Sequence, residues 1–186
     1  GAAMELRTDY PEPVHFVSRP SVTKKVSDES VVFTKDTGGN EVFRLYRAES
    51  DSAAAFAKAV PITPTDRRVQ DFAWSEKGDR LAYITVPVNR SGSADSIVSE
   101  LYIGDPKRMV TEPQSAKLVA TLPGGGWQGT EWSMDDQTIA LIEYVSINES
   151  HIWLLNVATG ERMRFVEKSA TATGEPVAYS SVQLSH

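Results

Sequence analysis

Serine and histidine are the residues of this sequence that could carry hydrolytic chemistry, and their spacing argues against it. A serine hydrolase of the α/β type raises its nucleophile on a strained Gly-x-Ser-x-Gly turn, and no such pentapeptide occurs among the 186 residues. His15, His151 and His186 stand far apart and match neither a triad nor a metal motif. We therefore expect no catalytic residue, no metal site and no cofactor, so that this chain is not itself an enzyme. His151 is expected to be a strand or rim residue rather than a ligand.

Two other motifs have a chemical and a structural interpretation. Gly124-Gly125-Gly126 could suggest a phosphate loop, but it lacks the Gly-Lys-Ser/Thr ending and a following helix. We expect these glycines to turn the chain from an outer strand into the next inner strand. The stretch 143–150 is the most polar connection between two predicted strands, and it reads as a hairpin with Asn148 in the turn.

The composition narrows the classes of partner. The net charge of −6 and the pI near 5.1 argue against nucleic-acid binding, which needs a basic surface. No apolar run reaches the roughly 18 residues of a membrane span, so no membrane contact is expected. Cysteine is absent, which leaves a packed core to hold the fold. Residues 1–4 are expected to be the start of the chain with a tag remnant.

The sequence contains an internal repeat, which predicts the strands and turns on which these motifs lie. The stretch Phe72–Tyr83 aligns with Thr130–Leu141: a Trp-Ser pair, a polar turn and an aliphatic-Ala pair recur at an offset of 132 − 74 = 58 residues. Because Trp74 and Trp132 recur at the same place, we expect both to fill the space between adjacent repeats rather than to form stacking platforms.

Further copies extend the repeat in both directions. Ser30–Lys35 and Glu41–Arg47 flank a Gly-Gly-Asn turn, which predicts a hairpin. A last copy begins at Pro176–Ser185. Units of about 50 residues with four short strands each are typical of β-propeller blades. Ser52–Ala59 has helical propensity but stands where the outer strand of the first blade belongs, and we interpret it as a strand.

The predicted fold is therefore all-β: a partial β-propeller with about three four-stranded antiparallel blades and the first strand of a fourth. Blades are expected at residues 10–62, 66–123 and 126–167, within the range 5–175, and residues 176–186 are expected to open the next blade. The Ser/Gly-rich stretch Asn89–Ser96 lengthens one hairpin loop.

The blade pattern resembles the repeats of TolB-like and prolyl oligopeptidase propellers. More specifically, Lys35–Arg47, Gly124–Trp127 and Glu143–Ser150, in this order, look like the N-terminal propeller of bacterial serine peptidases of the prolyl oligopeptidase family. In that family a separate α/β-hydrolase domain carries the catalytic residues, and the propeller caps the active site and screens peptides by size.

The resemblance implies a function and a candidate site. The chain would be a non-catalytic propeller that gates peptide access to a hydrolase domain of the same parent protein. It also makes the polar hairpin a candidate to face the central cavity or that domain, and the residues concerned are Glu143, Ser146, Asn148, Glu149 and Ser150. The alternative is a stand-alone TolB-like module that binds proteins. The resemblance suggests a soluble bacterial protein and leaves cytoplasm and periplasm open.

An incomplete ring also implies self-association. Three blades alone leave two apolar blade faces and the strand Pro176–Ser185 without partners. Glu5–Thr8 reads as the final strand of a preceding blade. We therefore expect copies of the chain to cover one another's apolar faces.

Overall fold

Three four-stranded antiparallel sheets follow one another along the chain. The computed structural model describes residue 10 and residues 14–20, 29–89, 96–165 and 177–184. In each sheet every strand pairs with the next strand in the sequence, so each sheet is an up-and-down meander. The prediction of an all-β partial propeller is confirmed, and we name the sheets blade 1, blade 2 and blade 3.

The strands of each blade have the following bounds. Blade 1 contains β1 (Val14–Ser18), β2 (Val31–Lys35), β3 (Arg44–Ala48) and β4 (Val60–Pro61). Blade 2 contains β5 (Arg67–Trp74), β6 (Leu81–Pro87), β7 (Val98–Gly104) and β8 (Lys117–Pro123). Blade 3 contains β9 (Trp127–Trp132), β10 (Thr138–Ser146), β11 (Glu149–Asn156) and β12 (Arg162–Phe165). A short 3-10 helix, Arg108–Val110, lies between β7 and β8.

The repeat seen in the sequence is also a repeat of turn geometry. The turns Ser75–Arg80 and Ser133–Thr138 both follow the first strand of their blade. In both, the serine N–H donates to the carbonyl of the last residue, at 2.8 and 2.9 Å. The fourth position has a positive φ in both, 70° at Gly78 and 57° at Asp136. Glycine reaches this region freely, and aspartate is one of the few other residues that tolerate it.

The core consists of clusters between the blades. Trp74 belongs to the cluster between blades 1 and 2, and Trp132 to the cluster between blades 2 and 3. Their exposed fractions are 8% and 3%. The prediction that the two tryptophans fill equivalent spaces between blades is confirmed. Trp132 also donates its ring N–H to the Ala73 carbonyl at 3.2 Å, which joins the first strands of blades 2 and 3.

The strand predicted for Ser52–Ala59 is wrong, because this stretch contains the helix α1, Ala53–Phe56. The Ser52 hydroxyl caps the helix by accepting from the Ala55 N–H at 3.2 Å. The helix buries Phe56 against Phe33 of β2, with ring centroids 5.2 Å apart. The Ser52 cap and the burial of Phe56 thus stabilise a helix in this stretch rather than a strand. The outer strand of blade 1 is the two-residue β4 that follows.

This helix covers a surface that was expected to be unpartnered. Phe33 is fully buried on the outward face of blade 1. Tyr10 stacks on the other side of the cluster, with its ring 6.1 Å from that of Phe33, and its hydroxyl donates to the Phe56 carbonyl. The outward face of blade 1 is therefore covered by the chain's own residues.

The strand predicted for 176–185 is not formed in its described part, residues 177–184. Instead, the Ser150 N–H donates to the Val177 carbonyl at 3.0 Å, and the Ser150 hydroxyl donates to the Tyr179 carbonyl at 3.0 Å. A regular β-ladder needs backbone-to-backbone hydrogen bonds along both segments. Because the bond to Tyr179 comes from the Ser150 side chain, these contacts do not continue as a ladder. Glu5–Thr8 and residues 90–95 lie outside the described residues.

Candidate functional site

A groove of about 470 Å³ opens where the first strands of all three blades come together. We call it the inner groove. Each first strand contributes more than one residue to its lining, among them His15 of β1, Gln70 of β5 and Gln128 of β9. Arg68, Phe43 and Tyr144 add a cation and two aromatic rings to its lining.

The glycine-rich connection shapes one wall of this groove. It joins β8 to β9, as predicted, and Gly124 has a φ of 80° that other residues rarely adopt. The side-chain amide of Gln70 donates to the Gly125 carbonyl at 2.6 Å. A Cβ atom on Gly126 would lie 2.5 Å from the Tyr144 carbonyl oxygen. The glycines therefore permit a close approach between the connection and blade 3.

The lining suits an extended peptide better than a small anion. Two glutamine side chains can donate to and accept from a peptide main chain, although Gln70 is also bonded to Gly125. His15 packs edge-on against Phe43 with ring centroids 4.5 Å apart, so aromatic surface adjoins these amides. Mixed polar and aromatic linings of this kind are typical of binding clefts.

The predicted hairpin borders the inner groove, with β10 ending at Ser146 and β11 beginning at Glu149. Asn148 lies in the turn, as expected, and its N–H donates to the Ser146 hydroxyl at 3.3 Å. Tyr144, which is half exposed, is the hairpin residue that lines the groove. Tyr144 is not among the five predicted site residues, although strand alternation puts it on the opposite face from Glu143.

The five predicted site residues do not converge on one point. Glu143 accepts the ring N–H of Trp153 at 2.8 Å on the face toward blade 2. Glu149 approaches His151, and Ser150 is bonded to residues 177 and 179. Ser146 and Asn148 remain at the exposed tip. A role for these five residues in facing a cavity or a domain stays a prediction.

His151 lies in β11, as expected of a strand residue, and both ring nitrogens have polar neighbours. Its Nε2 is 3.4 Å from the Glu149 carboxylate, and its Nδ1 is 2.7 Å from the Arg164 guanidinium. Among the described residues no group of three metal-ligating side chains is assembled. Within the same ranges, no helix has the length and apolar character needed to cross a bilayer.

Comparisons with solved structures identify the fold. The chain is similar to prolyl oligopeptidase B from Galerina marginata bound to a 25mer macrocyclization substrate, with 13% identity and a TM-score of 0.52. It is also similar to puromycin hydrolase, with 14% identity and a TM-score of 0.52, and to an oligogalacturonate lyase in complex with manganese, with 13% identity and a TM-score of 0.54. No protein-family model and no curated protein sequence matches the chain.

The coverage of these matches is unequal. The match with prolyl oligopeptidase B covers 84% of this chain and 24% of that protein. The corresponding shares are 74% and 22% for puromycin hydrolase and 80% and 36% for the oligogalacturonate lyase. The chain thus spans about a quarter to a third of the length of the structures it resembles. At these identities the similarity defines the class of fold alone, a partial β-propeller of three blades.

Proposed function

We propose that this chain is a non-catalytic propeller module of a serine peptidase of the prolyl oligopeptidase type. In this proposal it caps an α/β-hydrolase domain of the same parent protein and controls the entry of peptide substrates. The inner groove is the observation that carries the proposal, because it is lined by all three blades and has mixed amide and aromatic character. Two of the similar solved structures are a peptidase bound to a peptide and a hydrolase.

The position of Tyr144 gives the proposal a specific test. Its ring projects from the hairpin into the lining of the inner groove and is 50% exposed. In the complete parent protein, Tyr144→Ala should widen the groove. We expect kcat/KM for a long peptide to rise on the order of threefold relative to that for a dipeptide reporter. Steady-state kinetics with both substrates measures this ratio.

Controls separate gating from other effects. Leu118→Ala removes an exposed side chain of β8 that does not line the inner groove, and it should leave the ratio unchanged. The 186-residue chain alone should hydrolyse neither substrate. An unchanged ratio in Tyr144→Ala, or hydrolysis by the isolated chain that a serine-directed phosphonate blocks, would contradict the proposal.

A second candidate function is a stand-alone, TolB-like module that binds a protein partner. The hairpin tip favours it, because Ile147 is 81% exposed and Val145 is half exposed. Exposed apolar residues next to one another often mark protein contacts. The complete open reading frame distinguishes the two candidates, since the peptidase requires an additional segment with a Gly-x-Ser-x-Gly motif.

We also propose that copies of the isolated chain associate through the outward face of blade 3. Met163 and Phe165 of β12 are 66% and 50% exposed, and they pair across the ladder with Leu154 and Ile152 on the same face. A second copy of the chain would remove this apolar surface from water. The contact should exceed roughly 1,200 Å², as specific interfaces do.

Light scattering at micromolar concentration tests the association. The wild-type chain should have at least the mass of a dimer, and the double substitution Met163→Lys with Phe165→Lys should return the mass to that of a monomer. Leu118→Lys, at an exposed site on blade 2, is the matched control and should stay associated. A wild-type monomer at these concentrations would refute the proposal.

A further inference from the structure

A second groove, distinct from the inner groove, lies along the face of blade 2 that meets blade 1. Its volume is about 400 Å³, and we call it the side groove. One rim is the connection between the two blades, at Pro64 and Asp66, and the other is the loop before β8, at Pro113. Tyr83 and Tyr102 line it with rings that stack 5.5 Å apart at an interplanar angle of 14°.

Three charged side chains line the side groove. Arg67 forms an ion pair with Glu100 at 2.5 Å and donates from Nε to the Thr85 hydroxyl at 3.2 Å. Asp66 is exposed at the rim. One positive and two negative charges leave the groove with a net charge of −1. Arg67 therefore neutralises one carboxylate and leaves the second uncompensated within the lining.

Both tyrosines remain neutral at physiological pH. Burial, together with the hydrogen bond to Glu100 and the negative charge of that residue, raises the pKa of Tyr102 to about 12. Burial and the neighbouring Tyr102 raise the pKa of Tyr83 well above its ordinary value. The Tyr102 hydroxyl thus stays protonated and donates to the Glu100 carboxylate at 2.7 Å. This bond fixes the carboxylate beside the aromatic pair.

We propose that the side groove binds one lysine side chain of a peptide segment. An ammonium group is attracted both by a carboxylate and by the face of a tyrosine ring, and the groove offers both within one cavity. Its net negative charge disfavours anions. A purely apolar ligand would remove water from Glu100 and Asp66 without replacing the lost hydrogen bonds, which is unfavourable.

The side groove is separate from the inner groove on which the proposed function depends. The side groove is lined by residues of blade 2 and of the connection from blade 1, whereas the inner groove is lined by the first strands of three blades. The side groove belongs to the chain itself, so a test of its ligand does not depend on a hydrolase domain. Failure of one proposal would leave the other standing.

Two small probes that differ in one charge test the proposal on the 186-residue chain. Nα-acetyl-lysine methylamide carries an ammonium group, and Nα-acetyl-norleucine methylamide has the same apolar stem without it. In amide-resolved NMR titrations the lysine probe should give saturable shifts at residues 66–67, 83–85, 100–102 and 114–116. The norleucine probe should bind at least about fivefold more weakly, because it lacks the ion pair and the cation–π contact.

Substitutions identify the groups that bind the ammonium. Asp66→Asn should raise the Kd of the lysine probe by about two- to fivefold, as expected for a partly exposed pair. Glu100→Gln should raise it by about tenfold or more, because it leaves the positive charge of Arg67 without its carboxylate partner beside the ammonium group. Glu161→Gln removes the same charge from the exposed turn before β12 and should leave the Kd unchanged.

The outcomes are decisive even if Glu100→Gln fails to fold, because Asp66 lies at an exposed rim. Equal binding of the two probes would show an apolar groove and overturn the proposal. The proposal would also fail if the chemical shifts did not saturate or if they mapped to other residues. It would fail as well if Asp66→Asn bound the lysine probe as tightly as the wild type does.

Discussion

Replacing Trp132 by alanine should lower the free energy of unfolding by about 3–5 kcal/mol, the cost typical of removing a buried aromatic side chain. The indole is 3% exposed in the cluster between blades 2 and 3. Its N–H donates to the Ala73 carbonyl, and the Arg80 guanidinium lies 5.0 Å from the ring centroid. The substitution would therefore remove packing and polar contacts between the two blades together. Urea unfolding followed by circular dichroism measures the loss.

Two comparisons make this prediction specific to the position between blades. Trp132→Phe keeps most of the aromatic volume but loses the N–H donor, and should cost about 1–2 kcal/mol. Trp74→Ala, at the equivalent place between blades 1 and 2, should cost nearly as much as Trp132→Ala. A loss below about 1 kcal/mol for Trp132→Ala would mean that the blades do not pack through this ring.

The blades could be predicted because one repeat encodes both a turn and a packing position. The Trp-Ser pair specifies where a first strand ends, and the polar turn specifies where the chain reverses. The aliphatic-Ala pair then specifies which face of the next strand is buried. The observed turns at Ser75 and Ser133 use the same hydrogen bonds. A signal that occurs twice is far less ambiguous than a single periodic segment, so the fold class followed from the sequence.

The two strand predictions that failed, for Ser52–Ala59 and Pro176–Ser185, depended on the expected position of each segment in a blade. The helix at Ala53–Phe56 depends on the Ser52 cap and on the burial of Phe56 against Phe33, a contact between residues 23 positions apart (56 − 33). No periodic pattern reveals such a pairing. For residues 177–184, alignment with the repeat predicted the first strand of a new blade, but Ser150 forms hydrogen bonds with Val177 and Tyr179 without a ladder.

The candidate sites were predicted only in part for a related reason. The hairpin was found by its polarity, but Tyr144 was not selected, and neither were His15 and Gln70. The inner groove arises because first strands from three blades meet, and β1 showed no repeat motif in the sequence. Side chains of this kind are positioned by the arrangement of whole blades, which local sequence signals do not encode.

Blades 2 and 3 are also joined by polar contacts between their first strands and between the turns that follow those strands. The Asp71 carboxylate accepts from the Thr130 N–H at 2.7 Å, which connects β5 directly to β9. Asp136 makes a denser link, because its fully buried carboxylate accepts from the N–H groups of Glu76 and Lys77 at 2.7 and 3.3 Å. It thereby binds the turn of blade 2 to the turn of blade 3. These links fix the angle between blades on which the inner groove depends.

Substitutions at Asp136 should separate the contribution of its carboxylate from that of its backbone conformation. Asp136→Gly removes the carboxylate but accepts the φ of 57°, as Gly78 does in the equivalent turn. It should lower the free energy of unfolding by about 2–4 kcal/mol, because the N–H groups of Glu76 and Lys77 lose their acceptor and Arg80, 3.7 Å away, loses one of its two carboxylate partners. Asp136→Ala should cost about 1 kcal/mol more, since alanine disfavours a positive φ.

Asp136→Asn should be the mildest of the three substitutions, at about 1–2 kcal/mol, because asparagine retains one carbonyl acceptor and tolerates the left-handed region. From most to least stable, the predicted order of the variants at position 136 is therefore asparagine, glycine and alanine, and denaturant unfolding of all three variants checks it.

Lys77→Ala serves as the control. The Lys77 Nζ lies 4.0 Å from the Asp136 carboxylate and is exposed, so its loss should cost less than about 1 kcal/mol. If glycine were as stable as the wild type, the carboxylate would not join the blades. If alanine matched glycine, the positive φ would carry no strain, and the tolerance of aspartate for this conformation would not explain its place in the turn.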